Sequence, residues 1–244
     1  MDAYTYEEIA GMIDHSLLNP SLTAKELNDG CALAVRYSVA SVCIVPWALA
    51  RCAELLAGSQ VRPSTTIGFP HGGHATPIKL AEARQAIQDG GQELDAVINI
   101  GKARSGDWRY IQSELAALAD TTHAGGAKIK VIFENAYLDD AQKIRLCEIC
   151  GEIGADWVKT STGYAPTGAT IDDLKLMRAR TPAHVQVKAA GGIRDLDALL
   201  AVRAIGVSRV GATRTESMLE ECRRRLGLAP LSQGRDATLP VGGY

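Results

Sequence analysis

Aromatic residues make up only 5% of this 244-residue chain, so aliphatic and alanine side chains must fill its interior. The 46% hydrophobic content is ample for that, as in layered α/β folds. No charge of one sign dominates: 26 Lys and Arg stand against 28 Asp and Glu, a formal net charge of −2. A nucleic-acid or membrane surface built on bulk charge is therefore not expected. No apolar stretch approaches the roughly 20 residues needed to span a bilayer. The N-terminus lacks the basic start and apolar run of a signal peptide, and a cytoplasmic location is expected. The six cysteines (31, 43, 52, 147, 150 and 222) are too sparse for a disulfide scaffold. Cys147 and Cys150 form one CxxC, but it has no second pair and sits in a helical pattern, which reads as a buried helix face.

What the chain does have is rhythm. After a first helix near residues 5–12, strand-like runs fall at 13–18, 41–45, 65–69, 94–99, 128–134, 156–161, 185–189 and 209–212. Helical patterns lie between them at 24–37, 47–56, 78–89, 107–123, 139–153, 171–180, 196–204 and 216–226. Thr23 with Glu26, Ser105, Thr170 with Asp173, and Asp195 are the expected helix caps. About eight βα units without a linker predict a single α/β domain, a (β/α)8 TIM barrel with an extra N-terminal helix, over residues 1–229. A doubly wound open sheet is the runner-up. Residues 230–244 read as a flexible C-terminal tail.

Two lysines sit near strand ends, in Trp157-Val-Lys-Thr-Ser-Thr-Gly163 and Val185-Gln-Val-Lys-Ala-Ala-Gly-Gly192. Burying an unpaired ammonium is costly unless it is paired or loses its proton. Alternation puts Trp157, Lys159 and Ser161 on one strand face, Gln186 and Lys188 on another, and Asp95, Val97 and Asn99 on a third. Each polar set should point into the barrel, where an aspartate and two lysines must meet one another or remain unpaired, and meeting is the cheaper arrangement. An unperturbed lysine is only about 0.04% free amine at pH 7, and each unit of lowering multiplies that about tenfold. Burial and a neighbouring cation both push that way, and a neutral lysine attacks carbonyls to give a Schiff base. Lys159 is thus the candidate nucleophile, Lys188 the perturbing cation and proton carrier, and Asp95 the partner of Lys188 that passes protons to or from a substrate hydroxyl. The bland alternative is a structural Lys–Asp–Lys network.

Gly191-Gly192 with Arg194, and Gly211-Ala-Thr213 with Arg214, follow the last two strands, the usual phosphate position of a barrel. They are the candidate phosphate contacts, with Thr160 and Gly163 joining them after the sixth strand. His71-Gly-Gly-His74 reads as loop rather than half a metal site, and no metal is expected. Asp14-His15 reads equally as site lining or as a surface or core hydrogen-bonding pair. Cys43 reads as packing. Tyr244 reads as a tail residue, though its phenol could fold back as a proton relay.

With those residues in hand the chain resembles the deoxyribose-phosphate aldolases, of the class I, Schiff-base type. The resemblance runs through Asp14-His-Ser-Leu-Leu18, Ser41-Val-Cys-Ile-Val-Pro46, Ile67-Gly-Phe-Pro-His-Gly72 and Glu93-Leu-Asp-Ala-Val-Ile-Asn-Ile-Gly101. It continues through Lys130-Val-Ile-Phe-Glu134, Val158-Lys-Thr-Ser-Thr-Gly163 and Lys188-Ala-Ala-Gly-Gly-Ile-Arg194. Tyr164, Asn135 and the Gly211-Ala-Thr-Arg214 loop depart from the residues usual in that family. The resemblance implies a (β/α)8 barrel with Lys159 forming an imine to acetaldehyde and with Asp95 and Lys188 moving protons. It implies cleavage of 2-deoxy-D-ribose 5-phosphate to D-glyceraldehyde 3-phosphate and acetaldehyde, with no metal or organic cofactor. The expected partners are the small phosphorylated sugar and acetaldehyde, with no nucleic acid and no membrane, and the outer helices leave room for a homodimer. Two rivals stay open: another Schiff-base aldolase or transaldol-type enzyme, and an inactive phosphosugar-binding barrel.

Overall fold

The computed structural model describes residues 4–232. Its strands are β1 (Ile13–Leu17), β2 (Ser41–Ile44), β3 (Arg62–Ile67), β4 (Glu93–Val97), β5 (Lys128–Ile132), β6 (Trp157–Lys159), β7 (Gln186–Ala190) and β8 (Arg209–Ala212). Every neighbouring pair is parallel, and β8 returns to β1 to close the barrel. The helices are α1 (Tyr6–Ala10), α2 (Ala24–Tyr37), α3 (Leu49–Leu56), α4 (Thr76–Gln88), α5 (Ile100–Arg104), α6 (Trp108–Ala124), α7 (Asp140–Glu152), α8 (Ile171–Arg180), α9 (Leu196–Ala204) and α10 (Thr215–Arg225). The (β/α)8 architecture with an extra N-terminal helix is the one its sequence rhythm predicts, and the open sheet is excluded by the β1–β8 pairing.

Strand alternation builds two different interiors. Val42, Ile44, Leu94, Ala96, Val131, Val158, Val187, Ala189 and Val210 face the helices and join one apolar core with them. The opposite faces turn into the barrel and carry polar groups: Asp14, Ser41, Ser64, Glu93, Asp95, Lys130, Lys159, Lys188 and Arg209, all buried. Trp157 lies among the inward cations, with the Lys130 ammonium 5.8 Å and the Arg209 guanidinium 5.1 Å from its ring centre. Outside the barrel, Lys79 on α4 and Glu114 on α6 form a fully buried ion pair at 2.7 Å.

Three of the four predicted caps, Thr23, Thr170 and Asp195, stand at helix starts. Thr5, Thr23 and Asp139 make reciprocal capping boxes, and Thr170 and Asp195 cap α8 and α9. Ser105 is the exception. It ends the short helix α5, and Asp107 caps α6 instead, its carboxylate accepting the Tyr110 N–H. Several strands are shorter than their apolar runs; β6 stops at Lys159, two residues before the predicted end. The chain there leaves the ladder to form the mouth. Leu231 and Ser232 donate N–H groups to Glu220 at 2.9 and 2.8 Å, while residues 233–244 of the expected tail, Tyr244 included, lie outside the described residues.

Candidate active site

Closure of the barrel gathers inward side chains from six strands. Lys159 and Lys188 are register partners on β6 and β7, and Asp95 is the register partner of Lys130 across β4 and β5. One Asp95 oxygen accepts from both Lys159 and Lys188 at 2.8 Å, and the other accepts from Lys130 at 2.9 Å. Lys188 also reaches Asp14 at 2.6 Å. Lys130 binds Glu93 at 2.6 Å and Asp14 at 3.4 Å. Arg209 donates to Glu93 at 2.8 and 3.0 Å and bridges to Asp14.

The buried part of the network therefore holds three carboxylates (Asp14, Glu93, Asp95) against four cationic groups (Lys130, Lys159, Lys188, Arg209), while the exposed Arg62 touches Glu93 from its edge at 3.4 Å. With every lysine protonated it carries one excess positive charge, and with one lysine neutral it balances. Geometry selects which one. Lys188 has two carboxylates, and their attraction outweighs burial and raises its pKa. Lys130, ringed by three, is raised as well. Lys159 is ion-paired with Asp95 alone, which it shares with two other ammonium groups, and feels Glu134 only as a neighbouring charge. Burial is the main force on it, the Lys188 charge adds to it, and its pKa is lowered despite Asp95. Asp95 and Asp14 are held well below the ordinary carboxylate range; burial opposes this, but Lys130 and the other cations prevail.

Of the residues marked out in the sequence, Lys159, Lys188 and Asp95 are brought into direct contact. Asp14, left open there, belongs to the same cluster. Its neighbour His15 turns the other way, with Nδ1 2.8 Å from Thr215 Oγ1, and burial pushes its pKa down to about 4. Lys130, Glu93 and Arg209 were missed. Ser161, on the Lys159 face, is buried with no hydrogen-bond partner for its Oγ among the described residues.

The mouth is formed by the loops after the strands. Gly191 and Gly192 have φ of 79° and 89°, and a side chain on Gly191 would collide with Gly168, so this turn demands glycine. Arg194, Thr213 and Arg214 are exposed at the same rim, and Gly211 sits above Lys188. Thr160 is different. Its hydroxyl is engaged by the Ala190 carbonyl and N–H, both at 3.1 Å, so it joins β6 to β7 rather than facing the mouth. Gly163, with φ of 92°, lets the chain turn into Tyr164. The Tyr164 phenol donates to the Leu18 carbonyl at 2.9 Å, and its ring meets Phe69 edge-on at 5.4 Å. His71 and His74 are exposed loop residues, and no group of three metal-ligating side chains occurs among the described residues.

A parallel barrel whose buried lysines converge beneath a glycine-rich rim is the arrangement of an aldolase class of protein. The comparisons with known proteins agree. Residues 9–226 match the profile of the DeoC/LacD family aldolases. The chain is 61% identical over 228 residues to a deoxyribose-phosphate aldolase of Rhodopirellula baltica, covering 93% of this chain and 95% of that one. It is 40% identical over 218 residues to the Thermococcus gammatolerans deoxyribose-phosphate aldolase, covering 88% and 97%. Among solved structures, QR15, an aldolase, superposes with a TM-score of 0.85 at 34% identity, covering 91% of this chain and 99% of that one. The deoxyribose phosphate aldolase of Aeropyrum pernix, a tetramer, gives 0.82 at 26% identity, covering 90% and 92%. The chain belongs to the deoxyribose-phosphate aldolases of the DeoC/LacD family, and is a lyase.

Proposed function

We propose that this chain cleaves 2-deoxy-D-ribose 5-phosphate reversibly to D-glyceraldehyde 3-phosphate and acetaldehyde through a Schiff base on Lys159. The observation that carries this reading is the charge imbalance of the buried cluster, which is relieved when Lys159, the lysine with the weakest hold on a carboxylate, gives up its proton.

The free amine of Lys159 attacks the C1 aldehyde of the open-chain sugar phosphate. Loss of water gives an iminium, which draws electrons from the C2–C3 bond. That bond breaks as a base takes the C3 hydroxyl proton, and glyceraldehyde phosphate leaves. The enamine left on Lys159 is protonated at carbon and hydrolysed to acetaldehyde. Lys188, kept protonated by Asp14 and Asp95, supplies protons, and Asp95 holds both amines in reach of one another. Such acid–base help contributes typically about a hundredfold or more. The distal phosphate is held at the rim by Gly191, Gly192, Gly211 and Thr213 through backbone N–H groups, with Arg194 adding charge. The start of α10 has no side-chain cap, which leaves its first-turn N–H groups for an anion.

The test is reductive trapping. Protein incubated with acetaldehyde and borohydride should gain an ethyl group on the peptide carrying Lys159, and Lys159→Leu should gain none. Label on another lysine, or none on wild type, rejects the reading.

A further inference from the structure

Glu134 has no step in that chemistry, yet it holds a backbone conformation that works against it. Its φ of 59° and ψ of 64° lie in the left-handed region, which is strained for a bulky residue. Among the described non-glycine residues only Ser38 shares that region, and Ser38 ends helix α2, where such a turn is ordinary. Glu134 instead lies two residues beyond the end of β5, directly before the 3-10 turn Asn135–Tyr137. Glycine would remove the strain, so the side chain must account for a glutamate here.

That side chain is buried, and all its bonds go to one residue. The Thr162 N–H donates to Oε1 at 3.2 Å and to Oε2 at 3.3 Å, and the Thr162 hydroxyl donates to Oε2 as well. On either side of Glu134 the backbone holds the same neighbouring segment. The Phe133 N–H donates to the Lys159 carbonyl and the Asn135 N–H to the Thr160 carbonyl, each at 3.0 Å. β6 ends at Lys159, so the regular ladder gives out where the reactive amine stands. Segment 133–135 takes over, gripping residues 159, 160 and 162 in turn.

We infer that Glu134 is a positioning residue for Lys159: its carboxylate clamps Thr162, and the clamp fixes the backbone that aims the amine at the substrate carbonyl. This rests on the Schiff-base reading above. The competing account is that only the turn matters and the carboxylate is incidental. The two differ in what glycine does, since Glu134→Gly keeps the turn without strain and removes the clamp.

The experiment compares Glu134→Gly, Glu134→Gln and Thr162→Val with wild type. It measures kcat and KM for 2-deoxy-D-ribose 5-phosphate cleavage, the rate of borohydride trapping with acetaldehyde, and melting to establish folding. Glu134→Gly should lose about tenfold to a hundredfold in kcat and in trapping rate, the scale of a misaimed nucleophile, with KM moving much less. Glu134→Gln keeps an oxygen for the Thr162 N–H and should restore most of the rate, and Thr162→Val should fall between. A native kcat in Glu134→Gly, or a Glu134→Gln no better than it, overturns the inference. If the glycine variant does not fold, a native kcat in Thr162→Val overturns it equally. Wild type that cleaves the sugar phosphate but cannot be trapped sinks the Schiff-base reading and the clamp's role with it, whereas a trapped wild type beside a native kcat in Glu134→Gly sinks the clamp alone.

Discussion

Lys159 and Lys188 stand side by side on adjacent strands and donate to the same oxygen of Asp95, each at 2.8 Å. A single anion thus draws two ammonium groups together, and their repulsion is relieved most readily where the second anion is missing. Asp14 supplies Lys188 with that second anion at 2.6 Å. The pKa values of neighbours on one carboxylate are driven in opposite directions, Lys159 down and Lys188 up.

Replacing Lys188 tests this coupling. In Lys188→Met the cluster keeps three carboxylates but only Lys130, Arg209 and Lys159 as cations, so Lys159 is needed in its charged form. Its pKa should rise toward the ordinary lysine value. Cleavage should slow severely with KM little changed, and the acid limb of the residual pH–rate profile should move to higher pH. An acid limb that stays at the wild-type pH contradicts the electrostatic assignment.

Lys159→Met should abolish trapping and yet raise the melting temperature. A base whose folded pKa is depressed opposes folding at every pH below its unfolded value, because the folded site disfavours the charged form. Removing it leaves three carboxylates against three cations, a balanced core. Each kcal/mol recovered should raise Tm by about 2–4 °C in a chain of this size. A fall in Tm would mean that the buried network depends on a fourth positive charge.

How far the sequence alone reaches is clear from these same residues. Lys159, Lys188 and Asp95 were legible because strand alternation and the glycines after each run point to an inward face near the barrel mouth. Lys130 obeys the same alternation, but Lys128-Ile-Lys-Val-Ile132 reads as well as a strand with a solvated face. Arg209 and Glu93 open their strands, where a charge normally marks the surface. Only closure of β8 on β1 turns these positions toward a common axis, and closure is a non-local event that periodicity does not register. Thr160 illustrates the converse: its place in a Lys-Thr-Ser-Thr-Gly run invites a substrate role, while its parity turns the hydroxyl to Ala190. The left-handed turn at Glu134 has no local signal, since nothing but the carboxylate's distant partner explains it.

Asp95→Asn should be the most damaging single change in the cluster. It takes the negative charge from the three lysines that meet the two Asp95 oxygens, Lys159 and Lys188 on one and Lys130 on the other, and breaking a buried pair costs about 3–5 kcal/mol. The pH dependence has a definite sign. The folded pKa of Asp95 is depressed, so its contribution is complete above the unfolded value of about 3.9 and is lost as pH falls through the folded value. Urea midpoints measured from pH 7 down to strong acid should therefore fall more steeply for wild type than for Asp95→Asn. Parallel slopes would place the acid sensitivity in other carboxylates.

The Lys79–Glu114 pair offers a contrast outside the barrel. Lys79 donates to Glu114 at 2.7 Å and to the Val97 carbonyl at 2.9 Å, and the Thr76 hydroxyl donates to Glu114 at 2.9 Å. Burial lowers the Lys79 pKa in spite of Glu114, so the pair is held by partnership against a solvation penalty. Lys79→Met alone strands a buried carboxylate and should cost about 3–5 kcal/mol, as should Glu114→Leu alone. The double variant removes both charges and exchanges the pair for apolar packing, so its loss should be well short of the sum, limited to the unpaired Val97 carbonyl and to the Thr76 and Tyr110 hydroxyls, which keep only each other. A double-mutant cycle by urea denaturation reads this directly. Strict additivity would mean that the two side chains do not act as a pair and that the α4–α6 contact is held by its apolar residues alone.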